Sequence, residues 1–137
     1  MRAKALNPED IEEVTRGSGI TSLPLFGEWS GAGQFTTGMT VFPPGKGIAM
    51  HHHNVEETVV IVDGSGVAVI DGEELKVGQY SATWIPPNVP HRFYNSGDEP
   101  MRILWVYGGV EVTRTLTDSG ETFAHMSEAD RQVGQEN

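Results

Sequence analysis

The stretch Gly45-Lys46-Gly47-Ile48-Ala49-Met50-His51-His52-His53-Asn54-Val55-Glu56-Glu57-Thr58-Val59-Val60-Ile61-Val62-Asp63-Gly64 decides the fold. Ile48 to His53 and Glu57 to Val62 read as two short strands, the second almost wholly β-branched, with glycine turns at both ends. In extended backbone, alternate side chains point to opposite faces, so His51 and His53 share one side and His52 takes the other. Glu57 has the parity of His51 and His53. If Asn54-Val55-Glu56 keeps the register, those three converge inside a barrel while His52 and Glu56 look outwards. Neutral imidazoles with a carboxylate form a mixed N/O set suited to borderline divalent metals. A buried carboxylate among imidazoles is costly unless a cation compensates it.

The same β pattern continues outward from this stretch. Phe35 to Phe42, Val67 to Ile70, Leu75 to Val77, Tyr80 to Ile85, His91 to Asn95, Met101 to Tyr107 and Val110 to Leu116 read as strands. They are separated by Pro43-Pro44-Gly45, Asp63-Gly64, Asp71-Gly72, Pro86-Pro87-Asn88 and Ser96-Gly97-Asp98, all turn chemistry. Roughly eight or nine short strands and no long helix predict an all-β sandwich or barrel. No unit recurs along the chain, which excludes solenoids and propellers. Asn7-Pro8-Glu9-Asp10 resembles a helix start running to about Val14, and Ser127-Glu128-Ala129-Asp130 a capping box for a short C-terminal helical turn. The expected organisation is an N-terminal segment, residues 1–34, packed on the barrel or a dimer partner, then a barrel over 35–117. A partly disordered C-terminal segment, 118–137, follows, with Gly134 to Asn137 fraying. Val59 and Ile61 face one side of their strand, Val60 and Val62 the other. The second face needs cover, from another sheet or another subunit, and a homodimer is the expectation.

At 137 residues the chain fits one domain. Nine basic against nineteen acidic residues give a net charge of −10, which repels phosphate backbones and anionic lipid surfaces and argues against nucleic acid as a partner. There is no cysteine, so disulfides and thiolate chemistry are excluded. The longest aliphatic run, Val59 to Val62, is far too short for a membrane span, and the first residues turn polar too soon for a signal peptide. A cytoplasmic protein is expected.

At its histidines the sequence resembles the cupin superfamily of small double-stranded β-helix barrels. The first cupin motif runs glycine, five residues, His-x-His, three or four residues, Glu, six residues, glycine; Gly45, His51, His53, Glu57 and Gly64 match every position. The second runs from a glycine to Pro-x-Gly, two residues, His, three residues, Asn; Gly78, Pro86, His91 and Asn95 match. Asn88 replaces the turn glycine, and Asn is the best substitute where φ is positive. The resemblance covers roughly Phe35 to Tyr107. It implies a double-stranded β-helix, a jelly-roll-like barrel, holding a divalent transition metal (Fe, Mn, Ni or Zn) on His51, His53, Glu57 and His91. Two positions of an octahedral ion would stay open for water, substrate or dioxygen. His125 is read as structural.

The fold does not choose the reaction. Parity places Met101, Ile103, Trp105 and Tyr107 on the inner face, puts Phe93 with His91, and sets Tyr80 beside Trp84. A small-molecule pocket lined from Phe42, Trp84, Phe93 and Trp105, with Tyr80 and Tyr107 at hand, is expected over a metal floor. Arg92, Arg102 and Lys46 all read as facing away, which favours an aromatic or enolic ligand over a strongly anionic one. The expectation is a metal-dependent enzyme, dioxygenase first and isomerase or cyclase second. Glu57 would act as a base, and Tyr80 or Tyr107 as a proton donor. A non-catalytic ligand- or metal-sensing module and a metal-stapled structural protein remain the alternatives.

Overall fold

The computed structural model describes residues 2–136; Met1 and Asn137, the outer ends of the two terminal segments, lie outside them. The described residues form fourteen strands. The first half of the chain holds β1 (Val14–Gly17), β2 (Ile20–Phe26), β3 (Thr36–Phe42), β4 (Lys46–Ile48), β5 (His51–His53), β6 (Glu57–Asp63) and β7 (Gly66–Ile70). The second half holds β8 (Glu73–Val77), β9 (Ala82–Ile85), β10 (His91–Tyr94), β11 (Met101–Tyr107), β12 (Thr113–Leu116), β13 (Thr122–Ala124) and β14 (Gly134–Glu136). They pair antiparallel into two sheets, one in the order β1-β2-β3-β11-β6-β9, the other β13-β12-β5-β10-β4-β14 with β7 and β8 attached through β10. This is the all-β architecture expected from the turn spacing, in the jelly-roll form that the cupin resemblance implies.

Alternation does the packing. On β11, Met101, Ile103, Trp105 and Tyr107 are buried and the residues between them are half-buried. They meet Phe42 from β3 and Val59 and Ile61 from β6, with Ala68 and Phe93 supplied by the other sheet. Trp105 lies directly across from Gly38 on β3; a Cβ there would sit 2.4 Å from the indole, so only glycine leaves the ring its place. Asn88 takes φ 65°, the left-handed turn conformation expected of it.

Several local expectations give way to tertiary packing. The strand expected over Ile48 to His53 is two strands, β4 and β5, separated at Ala49 and Met50. Pro8–Asp10 makes only a single 3-10 turn with no side-chain cap, and Val14 to Gly17 is recruited as a strand. The unassigned segment after Gly17 becomes β2. It is joined to β1 by Gly17, Ser18 and Gly19, all at positive φ. The turn at Ala129–Gln132 is also 3-10: Asp130 N donates to Ser127 Oγ at 3.4 Å, but the Asp130 carboxylate turns into the protein instead of capping its own turn. Where fraying was expected, Gly134 to Glu136 pair with β4.

Candidate metal centre

β5 contributes His51 and His53, the first residue of β6 contributes Glu57, and the first residue of β10 contributes His91. His91 lies opposite His51 in the β10–β5 pairing, and Tyr107 lies opposite Glu57 in the β11–β6 pairing. All four expected ligands are buried, whereas His52 is half-buried and Glu56 exposed, as the parity reading requires. The imidazoles cluster with ring centroids 4.7, 4.4 and 5.4 Å apart, and one ring nitrogen from each lies within 4.8 Å of the others.

The hydrogen bonds around the rings set their chemistry. His51 Nδ1 donates to Ala49 O at 2.6 Å, His53 Nδ1 to Thr113 O at 3.0 Å and His91 Nδ1 to Val89 O at 2.8 Å. Carbonyls accept only, so this network places a proton on each Nδ1 and turns each Nε2 away from it as the atom that can ligate. His53 Nε2 is buried without a hydrogen-bond partner. His91 Nε2 lies 2.9 Å from Glu57 Oε1, with neither atom in a hydrogen bond. A lone pair facing a carboxylate oxygen at that distance repels unless a proton or a cation sits between them. Burial, reinforced by the Arg114 charge, holds His51 well below its usual pKa; burial brings His53 to about 3. Burial pushes Glu57 upwards, but its contact with His91 and the neighbouring charges outweigh this and leave it below the usual carboxylate range. Three imidazoles beside an ionised carboxylate, each ring fixed by a carbonyl behind it, are the donor set of a divalent metal. These residues fit such an ion.

The centre opens into a cavity of about 30 Å³ lined by Phe42, Phe93, Trp105 and Tyr107 together with His51, Glu57 and His91. Tyr107 packs its ring 4.6 Å from His53, and burial, then the Glu57 charge, raises its phenol well above the ordinary value, so it stays protonated. Two expected residues lie elsewhere. Tyr80 is 76% exposed and Trp84 63% exposed. Pairing Glu57 with Ile85 and Thr58 with Trp84 turns Ile85, not Trp84, to the inside, and the indole Nε1 donates instead to Glu56 Oε1 at 2.9 Å. Tyr80 sits at φ 70° in the turn before β9, outside the sheet.

Three residues of the cavity region escaped the sequence reading. Few basic residues were expected to look inward, and Arg16 and Arg114 were not weighed; both line the cavity, 2% and 4% exposed. Asp130 is fully buried between them, paired with Arg16 Nη1 through Oδ2 and 2.8 Å from Arg114 Nε through Oδ1. The two arginines hold Asp130 well below the usual carboxylate range although burial opposes them. The signal was present in part: Arg114 shares the parity of Val112 and Leu116, and Arg16 that of Val14, so each arginine sits on an apolar face. His125, read as structural, stacks edge-on against Trp105 and Tyr107 at 5.1 and 4.9 Å, and burial brings it to about 3.

Fold and centre define a class, and comparison with known proteins agrees. Residues 38–107 match the cupin domain family, and the chain belongs to the cupins. The chain is 34% identical over 65 residues to the uncharacterised protein MJ1618 of Methanocaldococcus jannaschii, a match over 47% of this chain and about half, 52%, of that protein. It is 30% identical over 106 residues to the polyketide synthase CurC of Streptomyces cyaneus, covering 77% of this chain and 69% of the relative. Among solved structures it resembles a sugar phosphate isomerase of the cupin superfamily from Silicibacter pomeroyi, with TM-score 0.74, 25% identity and coverage of 87% and 85% of the two chains. No described helix is long and apolar enough to cross a membrane.

Proposed function

We propose that this cupin is a metal-dependent enzyme that enolises a small oxygen-bearing substrate, as an isomerase or cyclase does, with His51, His53, Glu57 and His91 holding the ion. The observation that carries this reading is the joint orientation of the three imidazoles: each Nδ1 is committed to a carbonyl, which leaves each Nε2 as the atom available to one cation beside Glu57. When bound, the ion supplies a Lewis-acid site that draws negative charge onto a substrate oxygen. The chain's own groups do the rest. Glu57, ionised and buried on the cavity wall, would leave the ion transiently to act as the base. Tyr107, held protonated, returns a proton or hydrogen-bonds to the developing oxyanion. Phe42, Phe93 and Trp105 keep water from the reacting carbon.

Enolisation takes precedence over the dioxygenase expected first because guanidinium groups line the same cavity, where they stabilise an oxyanion without any redox partner. The resemblance to a sugar phosphate isomerase runs the same way. The test is a nitrogen-purged incubation of metal-loaded protein in D₂O with 2-hydroxyketones and their phosphates, followed by NMR. Deuterium entering α to the carbonyl, above the metal-only control, is the expected result. Oxygen uptake without exchange would replace this reading with the dioxygenase. Neither signal, with ligand binding intact, would make the chain a sensing module. Two expectations belong to the same proposal: a cytoplasmic setting, and a homodimer joined through the half-buried Val60, Val62, Leu104 and Val106 on the outer sheet face, read out by sedimentation.

A further inference from the structure

We infer that Arg114 is the specificity-determining residue of the metal cavity, taking an anionic oxygen, enolate or carboxylate, at the chelating head of the substrate. The inference rests on the metal reading above and adds the ligand's charge to it.

Arg114 stands directly opposite His53 in the β12–β5 pairing, so its side chain leaves the sheet next to a metal ligand and on the same face. It lines the cavity together with His51, Glu57 and His91. Its Nη1 is buried with no hydrogen-bond partner among the described residues. An unpartnered donor on a buried guanidinium is expensive, and a ligand acceptor is the natural relief. Arg16 is committed by contrast: Nε donates to Ser22 Oγ at 2.8 Å, Nη1 to Asp130, and Nη2 lies 3.4 Å from Met126 Sδ. Every guanidinium nitrogen of Arg16 is engaged in at least one hydrogen bond, whereas Arg114 Nη1 is buried and engaged in none.

The charge balance agrees. Two guanidiniums share one carboxylate, Asp130, which leaves this wall with one net positive charge. Glu57 offsets that charge while no ion is bound; with a divalent ion present, a neutral chelator leaves the excess positive charge unanswered, whereas an anionic oxygen reduces it. Asp130 is the positioning residue: its Oδ1, 2.8 Å from Arg114 Nε, and its hydrogen bond from Met126 N at 2.8 Å hold the fork in place. A cavity of about 30 Å³ admits little more than an ion and a few ligand atoms, so the head group enters and any larger body projects through the mouth.

The experiment uses Co²⁺-loaded protein, whose visible spectrum reports metal and added ligand separately. Oxalate probes the carboxylate source and the enolate of pentane-2,4-dione the enolate source. With Arg114→Gln, the spectrum of the Co²⁺ protein before ligand is expected to match wild type, while the Kd of at least one probe rises roughly 10- to 100-fold. The probe that loses affinity identifies the source. Unchanged Kd values for both probes overturn the inference. If Arg114→Gln does not fold, Arg114→Lys takes its place: it keeps the charge but not the planar fork, and weaker binding of either probe supports the inference while unchanged binding overturns it. A wild-type protein that takes up no Co²⁺ defeats the metal reading instead, which separates the two failures.

Discussion

The metal end of the barrel and the ionic cluster beside it line one cavity, yet they are built in opposite ways. His51, His53 and Glu57 lie within seven residues, and their convergence follows from strand alternation and a short link that preserves register. Arg16, Arg114 and Asp130 come from β1, β12 and the C-terminal 3-10 turn, and the contact between Arg16 and Asp130 spans 114 positions. Local geometry makes three quarters of the first site, with His91 added by the β10–β5 pairing, and chain closure makes the second. The second site is only as stable as the docking of the C-terminal segment that carries Asp130.

The largest expected effect falls on the metal end. His53→Ala or His91→Ala should lose nearly all bound metal after dialysis while keeping a β-type circular dichroism spectrum; full metal content in both variants would show that the imidazoles are structural. The next falls on the ionic cluster. Asp130→Ala leaves two buried guanidiniums without their carboxylate and should cost about 3–5 kcal/mol in denaturant unfolding, with metal content in the surviving folded fraction unchanged. A cost under about 1 kcal/mol would mean that the cluster is solvated in solution.

A pH titration sharpens the same contrast. The fold holds His125 neutral down to about pH 3, whereas the unfolded chain takes up that proton near pH 6.5. The unfolded state therefore binds more protons as pH falls. Stability, complete above pH 6.5, is expected to drop between there and about pH 3, with His125 contributing a slope of up to about 1.4 kcal/mol per pH unit. His125→Asn should flatten the profile by that amount; an unaltered slope would show that the ring is protonated in the fold. Smaller still is Gly38→Ala, whose methyl meets the Trp105 ring and should cost about 1–3 kcal/mol in thermal or urea unfolding. The smallest change belongs to His52→Ala, which should leave metal content as it is, since that ring faces away from the centre. Loss of metal there would shift the assigned register by one residue.

How far the sequence could be read follows the same division. The parity of β5, β6, β10 and β11 was legible because one face of each carries a clear apolar or ligand set. The parity of β9 was not, because Tyr80 and Trp84 are as apolar as Ile85 and only pairing with β6 decides which side turns in. An arginine on an apolar face is a signal in Val112-Thr113-Arg114, but nothing in that stretch names Asp130 as its partner. By itself the sequence determined the antiparallel barrel, its turns and the converging histidines. These depend on period-two alternation and on residues that tolerate turn geometry, both of which act over a few positions. Only the tertiary structure decided that Arg114 and Arg16 enter the cavity, that Asp130 holds them, and that Tyr80 and Trp84 stay outside. Buried charge is tolerated only where an opposite charge arrives, and here that charge arrives from the far end of the chain.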